Sequence, residues 1–253
     1  MTSIDINSDL AEGFGAYRCG DDDAMLSIVT SANVACGFHA GDPEIMAHTF
    51  KIAKQRGVSV GAHPGFPDLW GFGRRRIPFS IGEIERLIAY QLGAAQALAA
   101  YAGHRIAYVK THGALGNIAE TDAEVADAIA RAAAAVDRSL AFLTIALSQQ
   151  EKSAAAVGLR TIAEIYADRG YDDNGHLIPR GRTGAMIEDP DEAGGRVLAM
   201  VESGAIITAT GKRLPTAIES VCVHSDSPHA VETARRMRER LEAAGVTIAP
   251  FAN

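Results

Sequence analysis

Residues 31–42 have the sequence SANVACGFHAGD and decide the fold class, because they lead from a strand into a helix. Residues 31–36 form a short run of small and apolar side chains, which is typical of a buried strand. A turn with glycines on both sides of His39 follows, and Asp42 then precedes Pro43. A capping residue followed by proline opens a helix. The stretch therefore predicts one strand–helix unit with polar side chains at its junction.

The same alternation runs along the whole chain. We predict strands at residues 3–8, 31–36, 58–62, 105–109, 140–145, 161–165 and 218–223. We predict helices between them at residues 43–56, 80–101, 121–135 and 228–244. Strands that alternate with helices indicate an α/β protein with a mostly parallel sheet. No Pro- or Ser-rich linker divides the sequence, so we expect a single domain over residues 1–253.

Two segments depart from this alternation. Residues 166–183 are polar and contain glycines, and they are too long for a plain connection, so we expect a flap over an active site. Residues 206–216 surround a Thr-Gly-Lys turn and predict a β-hairpin.

Composition excludes several classes of protein. Of the 253 residues, 47% are hydrophobic and 22% are charged, which is typical of a soluble globular chain. The net charge of −7 argues against nucleic acid as a partner, since that needs a basic face. The acidic residues near the N-terminus do not fit a signal peptide, and no apolar run approaches the ~20 residues that span a bilayer. We therefore expect a cytoplasmic protein with no membrane partner.

The residues with reactive side chains are concentrated at the carboxyl ends of the predicted strands. In strand order they are Asp9 and Glu12, His39 and Asp42, His63, Lys110 and His112, Glu164, Asp168 and Arg169, and finally His224 and Asp226. In barrels and open parallel sheets this end carries the ligand site. The sequence therefore predicts that these side chains share one pocket.

Structural explanations compete with this interpretation at single positions. Asp42 is also a helix cap, His39 can satisfy backbone groups in a tight turn, and Arg74, Arg75 and Arg76 resemble a solvated run. Familiar motifs do not resolve the choice. The Gly-Lys pair at residues 211–212 lacks the rest of a phosphate loop, and neither a G-x-S-x-G nor an H-E-x-x-H pattern occurs.

Seven blocks in order carry a family resemblance. They are DINSDLAE (5–12), SANVACGFHAGD (31–42), GAHP (61–64), VKTHGAL (109–115), YADRGY (166–171), PR (179–180) and CVHSD (222–226). Together they resemble the LamB/YcsF family of lactam-utilisation proteins over nearly the full chain. The resemblance implies a (β/α) TIM-like barrel of the seven-stranded glycoside hydrolase/deacetylase type. It also implies ATP-dependent hydrolytic ring opening of 5-oxoproline (pyroglutamate) to L-glutamate, with this chain as the A component beside two other 5-oxoprolinase subunits, B and C.

The resemblance also implies the site residues, position by position. The catalytic set is Asp9, His39, His63, Lys110, His112 and Asp226. The substrate-binding set is Asn7, Glu12, Asp42, Glu164, Asp168, Arg169, Arg180 and His224. The expected cofactor is ATP with Mg²⁺ on the nucleotide, and no protein-bound metal is expected.

Each role has a chemical reason. Lys110, with His112 beside it, would stabilise negative charge on the amide oxygen or its phosphate. Asp9, His39 or His63 would activate water. Arg169 or Arg180 would bind the substrate carboxylate, because a guanidinium matches planar anions.

Two alternatives remain open from the sequence. Asp9, His39 and His63 also suit a divalent ion that lowers the pKa of water, which would make the chain a metal-dependent amidohydrolase or deacetylase for a related lactam or amide. The other alternative is a non-catalytic subunit that binds a lactam. The density of ionisable groups at one pocket argues against the latter.

Overall fold

A computed structural model describes residues 3–252 of the chain. The strands are β1 (Ser3–Leu10), β2 (Ser31–Ala35), β3 (Ser59–His63), β4 (Ile106–Val109), β5 (Ala141–Ile145), β6 (Arg160–Tyr166), β7 (Ala205–Ile207), β8 (Arg213–Pro215), β9 (Ser220–Cys222) and β10 (Thr247–Ile248). The helices are α1 (Asp22–Met25), α2 (Pro43–Arg56), α3 (Ile81–Tyr101), α4 (Gly113–Ala119), α5 (Ala123–Val136), α6 (Gln149–Ala156), α7 (Pro190–Ser203) and α8 (Ala230–Ala243).

Seven parallel strands close into a barrel. Strands β1 to β6 pair each with the next, and β6 then pairs with β9. Strand β9 returns to β1, with Asp5 opposite Ser220, and this pairing closes the ring. The fold is thus the seven-stranded (β/α) barrel that the family resemblance implies, and it confirms the parallel α/β sheet predicted from the alternation of strands and helices. Strand β10 adds to the outer start of β1, and β7 with β8 forms the predicted hairpin outside the barrel.

Local sequence signals account for the helix ends. The Asp42 carboxylate accepts the backbone N–H groups of Glu44 and Ile45 and so begins α2. Ser80 and Glu83 form the predicted capping box of α3. Helix α2 has the predicted bounds, whereas the sequence does not predict α1, α4, α6 and α7.

The apolar core lies between the barrel and its helices. Its buried members include Met46, Phe50, Leu92, Ile129 and Met237. Inside the lower end of the barrel the Tyr108 ring packs against Phe251 of the C-terminal tail, with ring centroids 4.9 Å apart. The upper interior is filled by polar groups. No helix between residues 3 and 252 has the length and apolarity to cross a bilayer.

Candidate active site

The barrel interior is a stack of polar layers, because alternate residues of a strand face the same side. In the lowest layer the Ser31 hydroxyl donates to Asp5 at 2.6 Å. In the middle layer the Asn7 amide donates to Glu164 at 3.0 Å, and the Asn33 amide donates to Asn7 at 2.7 Å. These hydrogen bonds link β1 with β2 and β6 and fix the floor of a pocket at the carboxyl ends of the strands.

Lys110 is the centre of the upper layer. Its Nζ lies 3.0 Å from Glu164 Oε2, 3.2 Å from Asp9 Oδ1 and 3.0 Å from Cys222 Sγ. The side chain also lies over the Tyr166 ring, with Nζ 5.0 Å from its centroid. Two carboxylates therefore hold one buried ammonium group in place.

The charges of this group reinforce one another. Burial opposes an ammonium ion, but Asp9 and the neighbouring anionic groups raise the pKa of Lys110 well above its ordinary value. Burial likewise opposes the Asp9 carboxylate, but His63 and Lys110 hold the pKa of Asp9 well below its ordinary value. Lys110 thus stays positive and Asp9 negative at neutral pH.

His224 and Asp168 form a hydrogen-bonded pair on the far wall. His224 Nδ1 lies 2.8 Å from Asp168 Oδ2, while Nε2 lies 3.9 Å from Asp9 Oδ2. The carboxylate accepts the Nδ1–H and leaves the other ring nitrogen directed at the pocket. This geometry suits an imidazole that moves a proton.

Three imidazoles gather around Glu12 on the near wall. Glu12 Oε1 lies 3.1 Å from His39 Nε2 and 3.2 Å from His112 Nδ1. His112 Nδ1 in turn lies 3.0 Å from His63 Nε2. Burial lowers the pKa of His39 to about 3, so this ring is neutral. Within residues 3–252, its Nδ1 atom has no hydrogen-bond partner.

Three arginines from two loops, Arg74 after β3 and Arg169 and Arg180 after β6, surround the mouth of the pocket. Arg74 forms an ion pair with Asp226 at 2.6 Å. Arg169 donates through Nε and a terminal nitrogen to the carbonyl oxygens of Ala185 and Ile178. Arg180 has no hydrogen bond or ion pair to residues in the described part of the chain, although it lines the pocket. Of the three, Arg180 is the one whose guanidinium is available for an anion.

The structure brings most of the predicted residues together. Asp9, His63, Lys110, His112, Arg169, Arg180 and His224 line the pocket. Asn7, Glu12, His39, Glu164 and Asp168 lie behind them and hydrogen-bond to pocket residues or to each other. The expectation that His39 activates water does not fit this position behind the pocket wall.

Two predicted residues lie elsewhere. Asp42 is the helix cap of the structural explanation, and it also accepts the Gly15 N–H at 2.7 Å, in a separate groove near residues 13–23. It is therefore not placed to bind a ligand of the central pocket. Asp226 lies at the rim, where its carboxylate is engaged by Arg74 rather than by the upper layer.

Sequence reasoning misses several residues of the site. The interpretation of Arg74 as part of a solvated run does not hold, because Arg74 lines the pocket, as do Tyr166 and Asn117. Asn33 belongs to no predicted site, although it bridges Asn7 and Asp9. The available signal is the alternation of polar residues in β1 and β2, which marks a polar barrel interior.

The residues suited to a metal differ from the predicted set. Among residues 3–252, the donor atoms that converge are those of Glu12, His39, His63 and His112, with a second group at Asp9, Cys222 and His224. Asp9, His39 and His63 do not form such a group. Glu12 and His112 take the place of Asp9.

Known proteins are similar to this chain over nearly its full length. A protein of Azorhizobium caulinodans, named as the A component of 5-oxoprolinase, is 66% identical, with 100% of each chain covered. A protein of the same name from Gluconobacter oxydans is 57% identical over 97% of each chain. The crystal structure of the lactam utilization protein from Thermus thermophilus is 41% identical, with a TM-score of 0.93 over 99% of this chain and 100% of that one.

The family assignment rests on sequence and fold together. The model of the LamB/YcsF family matches residues 4–253, which include all of the barrel strands except Ser3 and every residue of the pocket. The chain therefore belongs to the LamB/YcsF family.

Proposed function

We propose that this chain opens the lactam ring of 5-oxoproline to give L-glutamate, at the expense of ATP, as the A component of a complex with subunits B and C. The names of its relatives support the 5-oxoprolinase role. The observation that carries the proposal is the buried Lys110 ammonium at the pocket floor, held by Asp9 and Glu164. A fixed positive charge of this kind is what an amide carbonyl needs as it becomes an oxyanion.

A five-membered lactam is a stable amide, so its carbonyl must be activated before water attacks. When bound, ATP would supply this activation by transferring its terminal phosphoryl group to the amide oxygen, with ADP as the leaving group. The chain carries no phosphate-loop motif, and its Gly-Lys pair lies next to the β7–β8 hairpin, where Lys212 Nζ donates to the carbonyl oxygen of Asp173. We therefore assign the main nucleotide contacts, with Mg²⁺, to the partner subunits.

Lys110 faces the developing negative charge in this scheme. Its ammonium is already oriented by two carboxylates, so little reorganisation is needed when negative charge develops on the amide oxygen or on the phosphate that it carries. His112, on the same turn of chain, lines the pocket beside it. Asp9 acts through its charge, since the low pKa of its carboxyl makes it a weak base.

His224 is the group we assign to proton transfer. Asp168 fixes its tautomer, so Nε2 can take a proton from the attacking water and return it to the ring nitrogen when the C–N bond breaks. In the ring opening the C–N bond breaks, the carbonyl carbon gains the hydroxyl of water and the nitrogen gains the proton. A second water then releases the phosphoryl group from the carbonyl oxygen as inorganic phosphate, which leaves the carboxylate of glutamate. This assignment replaces the expectation that Asp9, His39 or His63 is the base.

Arg180 is the group we assign to the substrate carboxylate. Its guanidinium lines the pocket and is not engaged by described residues, unlike Arg169, which donates to two carbonyl oxygens of its own loop. A planar guanidinium binds a carboxylate through two parallel hydrogen bonds. Of the two arginines considered from the sequence, the contacts favour Arg180.

The test is glutamate release from 5-oxoproline by the chain alone and by the complex with subunits B and C, each with and without ATP. We expect release only from the complete complex with ATP. ATP-independent release by the isolated chain would instead support a metal-dependent amidohydrolase. Lactam binding without any dependence of complex activity on Lys110 or Asp9 would support a non-catalytic binding role.

A further inference from the structure

We propose that Glu12, His63 and His112 form a binding site for one divalent transition-metal ion, with His39 as the residue that positions Glu12. This inference stands on contacts of the near wall and does not depend on the reaction proposed above. All four side chains are buried, and their donor atoms lie within 4.8 Å of one another.

The hydrogen-bond partners of His63 and His112 locate the protons on their rings. His63 Nδ1 lies 2.8 Å from the carbonyl oxygen of Lys110, and His112 Nε2 lies 2.8 Å from the carbonyl oxygen of Phe72. A carbonyl oxygen only accepts, so each of these nitrogens carries a hydrogen. In the neutral rings the opposite nitrogens, His63 Nε2 and His112 Nδ1, therefore carry lone pairs.

The lone pairs of His63 and His112 face one another and the Glu12 carboxylate. His63 Nε2 and His112 Nδ1 are 3.0 Å apart, and His112 Nδ1 is 3.2 Å from Glu12 Oε1. Glu12 Oε1 and His63 Nε2 both face His112 Nδ1, and the three donor atoms lie within 4.8 Å of one another, so they converge on one volume that a cation can occupy. A proton on His112 Nδ1 can be shared with Glu12 and His63, and a metal ion in its place would bind all three donor atoms at once. His63 Nε2 also lies 3.4 Å from Asp9 Oδ2, so Asp9 borders the site.

The distances between these donor atoms match those between neighbouring ligands of one metal ion. Zinc lies about 2.0–2.2 Å from imidazole nitrogen and carboxylate oxygen, so neighbouring ligand atoms of its shell are about 3.0–3.5 Å apart. The separations of 3.0 and 3.2 Å are of this size. The carbonyl partners of His63 and His112 are also the outer contacts that orient metal-binding imidazoles.

The ring planes decide which histidines can bind one ion. A ring nitrogen binds a metal in the plane of its ring. The planes of His63 and His112 are at 89°, so one ion can lie in both. The rings of His39 and His112 are parallel within 5°, with centroids 3.6 Å apart, so no ion lies in both planes. His39 is therefore excluded as a ligand beside His112, and its Nε2–H instead donates to Glu12 at 3.1 Å.

The donor set indicates the kind of ion. Two imidazoles and one carboxylate favour Zn²⁺ or a similar borderline ion over Mg²⁺ or Ca²⁺, which prefer oxygen ligands. Three protein ligands leave a position for water, and His63 and His112 both line the pocket. The ion would therefore border the same cavity as Lys110.

The experiment is a titration of the full chain, purified without an affinity tag and stripped with chelator, with Zn²⁺ in a calorimeter. We expect one ion per chain, and at least a hundredfold weaker binding in Glu12→Gln and His112→Ala. His39→Asn should lose about tenfold, as expected for an outer partner. The matched control is His48→Ala, which removes an exposed imidazole paired with Asp23 and should leave binding unchanged.

A second measurement uses the unmutated chain, so it tests the site even if the variants do not fold. Electron paramagnetic resonance of the stripped chain loaded with one equivalent of Cu²⁺ should show two imidazole ligands. Fewer than two imidazoles, no stoichiometric ion, or unchanged binding in folded His112→Ala would overturn the site. Glutamate release by the complex is measured separately: a chain that binds the ion but lacks that activity refutes only the proposed function, and the reverse result refutes only this site.

Discussion

Arg180 and Arg169 show how contacts, rather than residue type, separate a binding group from a structural one. Both lie in the segment predicted as a flap, and both line the pocket. Arg169 is buried and donates to carbonyl oxygens, so it holds its own loop together. Burial, with the nearby charges of Arg74 and Arg169, lowers the pKa of Arg180 below its ordinary value. The same excess of positive charge favours the binding of an anion beside Arg180.

Replacing Arg180 tests its role directly. We expect Arg180→Met to raise the KM of the complex for 5-oxoproline by about 10- to 100-fold, the value of losing a charge-assisted hydrogen bond of roughly 1.5–3 kcal/mol. Arg182→Met removes an exposed guanidinium two residues away and should leave KM unchanged. Equal KM values for the two variants in steady-state assays would remove Arg180 from the carboxylate site.

The pair of His224 and Asp168 is tested by a change that keeps its shape. Asp168→Asn replaces the acceptor of the Nδ1–H with an amide, which stabilises the wrong tautomer. We expect kcat to fall by about 10³-fold with little change in KM, measured as initial rates of glutamate release. A variant with wild-type kcat would show that His224 does not transfer the proton.

At the scale of elements, Glu120 joins the end of α4 to the flap. Its Oε1 accepts the Leu177 N–H at 3.1 Å, and its backbone carbonyl accepts the Gln149 N–H at 2.9 Å. Burial raises the pKa of Glu120 from 4.5 to about 7. The folded chain thus binds a proton on Glu120 in a pH range where the unfolded chain has released it.

The sign of the pH effect follows from that difference. As pH rises from 4.5 to about 7, the unfolded chain releases this proton while the folded chain still holds it, so the free energy of unfolding falls, by up to about 3 kcal/mol. Glu120→Gln keeps the acceptor for Leu177 and should abolish this part of the pH dependence. Urea unfolding at pH 5 and pH 8 measures it. Glu124→Gln, on the exposed side of α5, should retain the wild-type slope, and an unaltered slope in Glu120→Gln would contradict the account.

Strands β3 and β4 meet at a glycine that the packing requires. A Cβ on Gly61 would lie 2.2 Å from the Tyr108 ring, whose hydroxyl donates to Asn33 at 2.7 Å. We expect Gly61→Ala to destabilise the chain by about 2–3 kcal/mol through overpacking. Gly93→Ala, with open space around it in α3, should instead stabilise by about 0.5–1 kcal/mol. Chemical denaturation distinguishes these two signs.

Elements are predictable from the sequence where local signals and burial agree. Helix α2 has its cap, its proline and its terminal Gly57, and each strand of the barrel has a run of buried residues. Helix α4 escapes prediction because Gly113 and Gly116 weaken its local preference, and packing against α5 decides the outcome. Helix α7 is missed although Asp189 and Pro190 provide the same opening signal as in α2.

At the scale of the whole molecule, barrel closure creates the site. Lys110 contacts Asp9, Glu164 and Cys222, which come from the first, sixth and last strands of the ring. Their meeting at one pocket follows from the rule that ligands bind at the carboxyl ends of parallel strands, and the sequence is sufficient to predict it. The partners within the pocket are not predictable, because contacts such as Glu12 with His112 depend on loop geometry rather than on spacing.

The most direct measurement of the central claim is the rate of glutamate release from 5-oxoproline by the ATP-supplied complex that contains Lys110→Met. Assembly with subunits B and C and the circular dichroism spectrum show whether the variant is folded. The account predicts no detectable glutamate from a folded, assembled variant, because the fixed charge that faces the amide oxygen is gone. Release at the wild-type rate would contradict it.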